Sequence, residues 1–145
     1  PRDWQLLGDV RWRLGRYAAA AEAYRGALDA NPTSPLYDLA FTRYARAVAM
    51  ADAAQNAPPG PTLVITWLED DARAHELGFR RGDLLVRVDD AAVTCLADYQ
   101  RAWGQLGDRE SASIRVLRDG EEVEIAVEKP QGKLGYTLED LPGDR

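Results

Sequence analysis

Apolar residues recur at helical spacing through the first third of the chain, then shift to short β-rich runs. Two helices are predicted over residues 4–14 and 17–29. Large side chains (Trp4, Leu7, Tyr17, Tyr24) suit the seam between them, and small ones (Gly8, Ala20, Ala27) let the helix backbones approach. Gly15 allows the turn, and Pro32 stops the second helix. A third helix is expected after Ser34, with Ser34 as its cap and Pro35 at its first position, where a missing N–H costs nothing. It carries Leu36, Leu39, Ala40, Tyr44, Ala47 and Val48 on one face and ends near Gln55. Ala57-Pro58-Pro59-Gly60-Pro61 follows, stiff enough to mark a domain boundary.

Beyond it the pattern becomes mixed. Leu63–Leu68 and Leu84–Val88 read as strands, separated by a short helix over Ala72–Leu77. Asp89-Asp90 turns into a short strand at Ala91–Val93, and Thr94 is placed to cap a helix from Cys95 to Leu106. Ser113–Leu117 and Glu122–Val127 form a hairpin whose tip, Asp119-Gly120, is the strongest turn signal in the chain. A last short strand runs to about Leu141.

The spacing Trp4, Leu7, Gly8, Gly15, Tyr17, Ala20, Tyr24, Ala27, Pro32 resembles one tetratricopeptide (TPR) repeat, a helix pair used in interaction scaffolds. Arg11 stands where that repeat usually carries a large aromatic, which suggests a groove-facing charge. The third helix, lacking the Trp and Gly of a second repeat, reads as a cap.

Glu76-Leu77-Gly78-Phe79-Arg80-Arg81-Gly82-Asp83-Leu84-Leu85 and the Leu-Arg-Asp-Gly-Glu hairpin resemble bacterial PDZ domains. PDZ domains hold a peptide's terminal carboxylate in a loop that leads into a groove-lining strand. Nothing suitable precedes Leu63, whereas Lys133-Leu134-Gly135-Tyr136 fits that loop and follows the Glu122–Val127 strand, so the resemblance implies a circular permutation. It implies peptide binding by strand addition along Tyr136, Thr137 and Leu138, with the carboxylate held by N–H groups of Leu134, Gly135 and Tyr136 and attracted by Lys133. Leu96, Gln100 and Trp103 would form the opposite wall. The same helix offers Leu96, Tyr99, Trp103 and Leu106 as a core-facing stripe, which would leave the groove shut.

The net charge of −6, with arginines scattered among acids, argues against a nucleic-acid surface. No apolar run is long enough to span a bilayer. A single cysteine, Cys95, excludes an internal disulfide and a cysteine-based zinc cage. His75 and Cys95 have no orienting partner or oxyanion motif beside them, and Glu69-Asp70-Asp71 and Asp89-Asp90 lack calcium-loop spacing. No cofactor, metal or catalytic residue is expected, and the chain reads as a binding protein and not an enzyme.

The expected class is α+β: a TPR-like α-hairpin with a capping helix over residues 1–57, a proline linker at 58–61, a PDZ-like, partly open β-barrel with two helices over 62–141, and a tail at 142–145. The expected function is that of an adaptor recognising a peptide or protein C-terminus. Two alternatives stay open: a regulatory module of an envelope protease system, and a structural PDZ with a closed groove. Arginine outnumbers lysine sixteen to two, which fits a GC-rich bacterium, in cytoplasm or envelope. The start at Pro1 suggests a segment of a longer protein.

Overall fold

The computed structural model describes residues 3–30, 32–33, 35, 37–107, 109–128 and 134–142. The chain divides into two compact units, Pro1–Asp52 and Ala53–Arg145.

The first unit holds α1 (Trp4–Arg13), α2 (Tyr17–Ala30) and most of α3 (Tyr37–Asn56). Asp3 caps α1 by accepting the Leu6 N–H at 2.9 Å. Close packing of α1 on α2 depends on two glycines. A Cβ on Gly8 would lie 2.5 Å from the Tyr24 ring, and one on Gly26 would lie 2.7 Å from the Trp4 ring. The sequence pattern marks Gly8 but not Gly26. Ala20, Ala21, Tyr24 and Ala47 form the buried centre, flanked by Trp12, Tyr44 and Val48. Arg11 does not project into a groove as its place in the repeat suggests. Its guanidinium donates to the Ala19 carbonyl at 2.9 Å and so ties α1 to α2. The third helix begins at Tyr37, later than expected; Pro35 precedes it, and the expected cap Ser34 lies outside the described residues.

The second unit is built on an open antiparallel sheet of six strands. Its strands are β1 (Thr62–Leu68), β2 (Leu84–Val88), β3 (Ala91–Ala92), β4 (Ser111–Arg118), β5 (Glu121–Glu128) and β6 (Tyr136–Leu141). Their order is β5-β4-β2-β1-β6, with β3 paired to β2, so β5 and β6 form opposite ends. Two helices, α4 (Arg73–Leu77) and α5 (Leu96–Gly104), interrupt the strands. One face of the sheet builds a core around Leu63, Ile65, Phe79, Leu85, Ile114 and Val116. The β4–β5 hairpin closes with Arg118 opposite Glu121. Asp119 and Gly120 between them have φ values of 53° and 81°, the backbone twist that a two-residue hairpin turn requires. Thr94 does not cap α5. Its N–H and hydroxyl both donate to Asp98, at 3.0 and 2.8 Å, and Cys95 takes the cap position.

Candidate functional site

Among the described residues, the end strand β6 pairs only with β1, from Thr62–Leu141 to Leu68–Tyr136, with a bulge between Ile65 and Trp67. Across from it lies α5, and hydrogen bonds between the described residues join the pair at two points. At one end the Leu96 N–H donates to Asp140 Oδ1 at 2.6 Å. At the other the hydroxyls of Tyr99 and Tyr136 are hydrogen-bonded at 2.5 Å. Each ring also packs against another aromatic. Tyr99 stacks on Trp103, 5.5 Å between centroids and 22° between planes. Phe79, 1% exposed, meets Tyr136 edge-on at 5.4 Å. Burial pushes the Tyr99 phenol above its ordinary range. It does the same to Tyr136, and the neighbouring Tyr99 adds to the effect.

The expected binding residues are distributed as follows. Leu96 and Trp103 lie on α5, half-buried against the core, while Gln100 is exposed. Tyr136 and Leu138 on β6 are likewise half-buried against the core. The Thr137 carbonyl accepts the Thr66 hydroxyl at 3.4 Å. Leu134 is buried, and its carbonyl accepts the Ala74 N–H at 2.8 Å, which anchors the loop to α4. Gly135 is exposed with φ at 85°, a left-handed conformation that L side chains rarely adopt. Among the described residues, no hydrogen bond uses the N–H of Leu134 or Gly135. Lys133 lies outside the described residues.

Two residues of this cleft were not singled out from sequence for the groove. Tyr99 shares a helix face with Leu96 and Trp103, so spacing alone assigns it to either the core stripe or the cleft. Asp140 carries no local signal, because its partner is 44 positions away.

The helical unit has a cavity of about 210 Å³ lined by Asp9, Trp12, Arg13, Tyr24, Arg43 and Arg46. The Tyr24 hydroxyl donates to Asp9 at 2.5 Å, and burial, then Asp9, drives its pKa upward. Arg43 donates to the Gln5 side chain, and Arg46 lies over the Trp12 ring at 5.3 Å. Burial lowers the Arg46 pKa, and the charge of Arg43 lowers it further.

Among the described residues, no group of three or more His, Cys, Asp or Glu is arranged to hold a metal ion. His75 is exposed and Cys95 is a half-buried free thiol. No helix among the described residues is long and apolar enough to cross a membrane.

Residues 1–47 match the family model described as Tetratricopeptide repeat, covering α1, α2 and the first half of α3. This match supports a protein–protein interaction role, and such repeats are typically non-catalytic. A search of curated proteins returned no match to the chain.

Proposed function

We propose that this chain is a two-module interaction adaptor. A TPR-like helical module spans residues 1–57, a proline linker covers 58–61, a circularly permuted PDZ-like domain covers 62–141, and 142–145 form a tail. The second module recognises a peptide or protein C-terminus by adding it as a strand beside β6. No catalytic step is assigned to either module.

The observation that carries this reading is the loop before β6. The N–H groups of Leu134 and Gly135 are unused among the described residues, Gly135 has a curled backbone, and the loop runs directly into an end strand. Successive free N–H groups in such a turn form a concavity suited to a carboxylate. The strand order supports the permutation. The loop follows β5, which pairs with β4, and β6 pairs with β1. Thus the loop joins the two ends of the sheet, as a PDZ carboxylate loop joins its first two strands. Leu96, Gln100 and Trp103 on α5 supply the facing wall, and Thr137 and Leu138 continue the pairing edge.

Calorimetric titration with a free-acid heptapeptide, selected from a random C-terminal library, and with its amidated form tests the reading. Amidation is expected to weaken binding by about 1.5–3 kcal/mol, the scale of hydrogen bonds to a charged group. Lys133→Glu should weaken it further, most at low salt. Equal affinity for acid and amide would overturn carboxylate recognition.

One observation favours a second reading, a structural PDZ-like domain with a shut groove. The Tyr99–Tyr136 and Leu96–Asp140 hydrogen bonds tie α5 directly to β6, the two elements between which a peptide would lie.

A further inference from the structure

We propose that Tyr99–Tyr136 and Leu96–Asp140 form a two-point latch that holds the α5–β6 cleft closed and must open before a strand can pair with β6. The inference rests on the peptide-binding reading for its purpose, but the latch is measurable without any ligand.

A strand added to a sheet lies about 4.8 Å from its neighbour, and its side chains need room beyond that. Cα atoms of α5 and β6 come within 8 Å of each other, less than an intervening strand with side chains on both sides needs. Hydroxyl oxygens from α5 and β6 stand 2.5 Å apart at one end. The α5 N-terminal N–H and the β6 carboxylate stand 2.6 Å apart at the other. Both contacts cross between the two elements that a peptide would have to separate.

The two sides of the latch differ in mobility. Tyr136 is wedged edge-on against the buried Phe79 and belongs to a paired strand, so it is fixed. Tyr99 stacks on Trp103, itself only half-buried, on a helix of nine residues. Asp140 is exposed, so water can replace its contact with Leu96. Opening therefore proceeds by α5 moving away from β6, with Asp140 released to solvent and the Tyr99–Trp103 stack carried with the helix. A closed state of this kind reduces apparent affinity by the fraction of molecules that are open. Weakening the latch should tighten peptide binding, the opposite of what loss of a ligand contact would do.

The test uses the full chain and three variants: Tyr99→Phe, which keeps the ring and removes one hydroxyl; Asp140→Ala; and the double variant. Hydrogen exchange of the Tyr136–Leu141 amides is measured without ligand, with Ile114, Val116, Ile125 and Val127 of the β4–β5 hairpin as internal controls. Each free-acid library peptide is then titrated into parent and variants. Exchange in β6 is expected to quicken at least severalfold in the double variant while the hairpin controls hold. Apparent affinity should rise about tenfold, in line with a latched state populated roughly 90% of the time. Unchanged β6 exchange in the double variant would overturn the latch, whatever the peptides do. Faster exchange with no peptide bound by any variant would sustain the latch and sink the peptide-binding reading instead. Faster exchange accompanied by weaker peptide binding would overturn the latch as a barrier and make Tyr99 and Asp140 ligand contacts.

Discussion

Arg118 holds the buried Asp83 carboxylate with two hydrogen bonds of 2.8 Å, Nε to Oδ1 and Nη2 to Oδ2. Asp83 is 2% exposed and also accepts the Arg80 N–H at 2.9 Å. Arg118 Nη2 donates further to the Gly78 carbonyl at 2.8 Å. One guanidinium at the end of β4 thus locks the turn that leads into β2. Bonding to Asp83 raises the Arg118 pKa still further, so the cation persists at any accessible pH. Arg118→Met would strand a buried carboxylate and should cost about 3 kcal/mol. Arg118→Lys keeps the charge but loses the planar fork and should recover only part of it. Urea midpoints report both. If the Met variant unfolds at the parent's midpoint, the pair does not hold this turn.

The α1–α2 seam predicts a second pair of effects. Tyr24 is 3% exposed, its ring covers Gly8, and its hydroxyl meets Asp9. Tyr24→Ala should cost about 3–5 kcal/mol through the cavity left behind. Gly8→Ala adds a methyl where a Cβ would sit 2.5 Å from that ring, and should cost about 1–3 kcal/mol by overpacking. Combining them should cost less than the sum, because removing the ring makes room for the methyl. Strict additivity in thermal or urea unfolding would show that the two positions do not touch.

Local rules made much of this legible. The Asp119-Gly120 turn and its flanking alternation locate the β4–β5 hairpin, and the Trp4-to-Pro32 spacing locates α1 and α2. What failed depended on competition or distance. Thr94 has the chemistry of a cap, yet the helix begins one residue later with Cys95 in the cap position, and the Thr94 N–H and hydroxyl donate to Asp98. Arg11 reads, from its place in the repeat, as a groove-facing charge, yet the Ala19 carbonyl is in reach once the helices pack. Asp83 announces a turn but not its partner 35 positions later, and Tyr99 sits 37 positions from Tyr136. Long-range polar pairs leave no periodic trace, so the latch across the cleft was not readable from spacing.

The buried phenols predict a loss of stability at alkaline pH. Tyr99 and Tyr136 have folded pKa values raised above the ordinary phenol value of about 10, chiefly by burial. The folded state therefore holds its phenolic protons where the unfolded chain releases them. The stabilisation is complete below about pH 10 and is lost as pH rises above it. Tyr136→Phe should be less stable than the parent near neutrality, having lost its hydroxyl partner, and should lose stability less steeply above pH 10. Urea midpoints between pH 8 and 11 check this. Parallel pH profiles for parent and variant would show that Tyr136 does not carry the dependence.

The loop before β6 yields a prediction that separates backbone strain from contact. Gly135 has φ at 85°, and a Cβ there would approach the Ala72 Cβ to 3.1 Å. Gly135→Ala should therefore cost about 1–2 kcal/mol for the left-handed backbone, with the tight contact in addition. Ala72 occupies the cap position of α4, where glycine is at least as acceptable as alanine, so Ala72→Gly alone should be close to neutral. In that background the contact is gone and only the strain remains. The loss caused by Gly135→Ala should shrink by about 0.5 kcal/mol or more, the scale of coupling between touching residues. The loop cannot easily slide away from α4, because the Leu134 carbonyl accepts the Ala74 N–H at 2.8 Å. A four-member mutant cycle in urea measures the coupling directly. Zero coupling would mean the loop shifts to accommodate the methyl, and its curled backbone would then be adaptable and not preset.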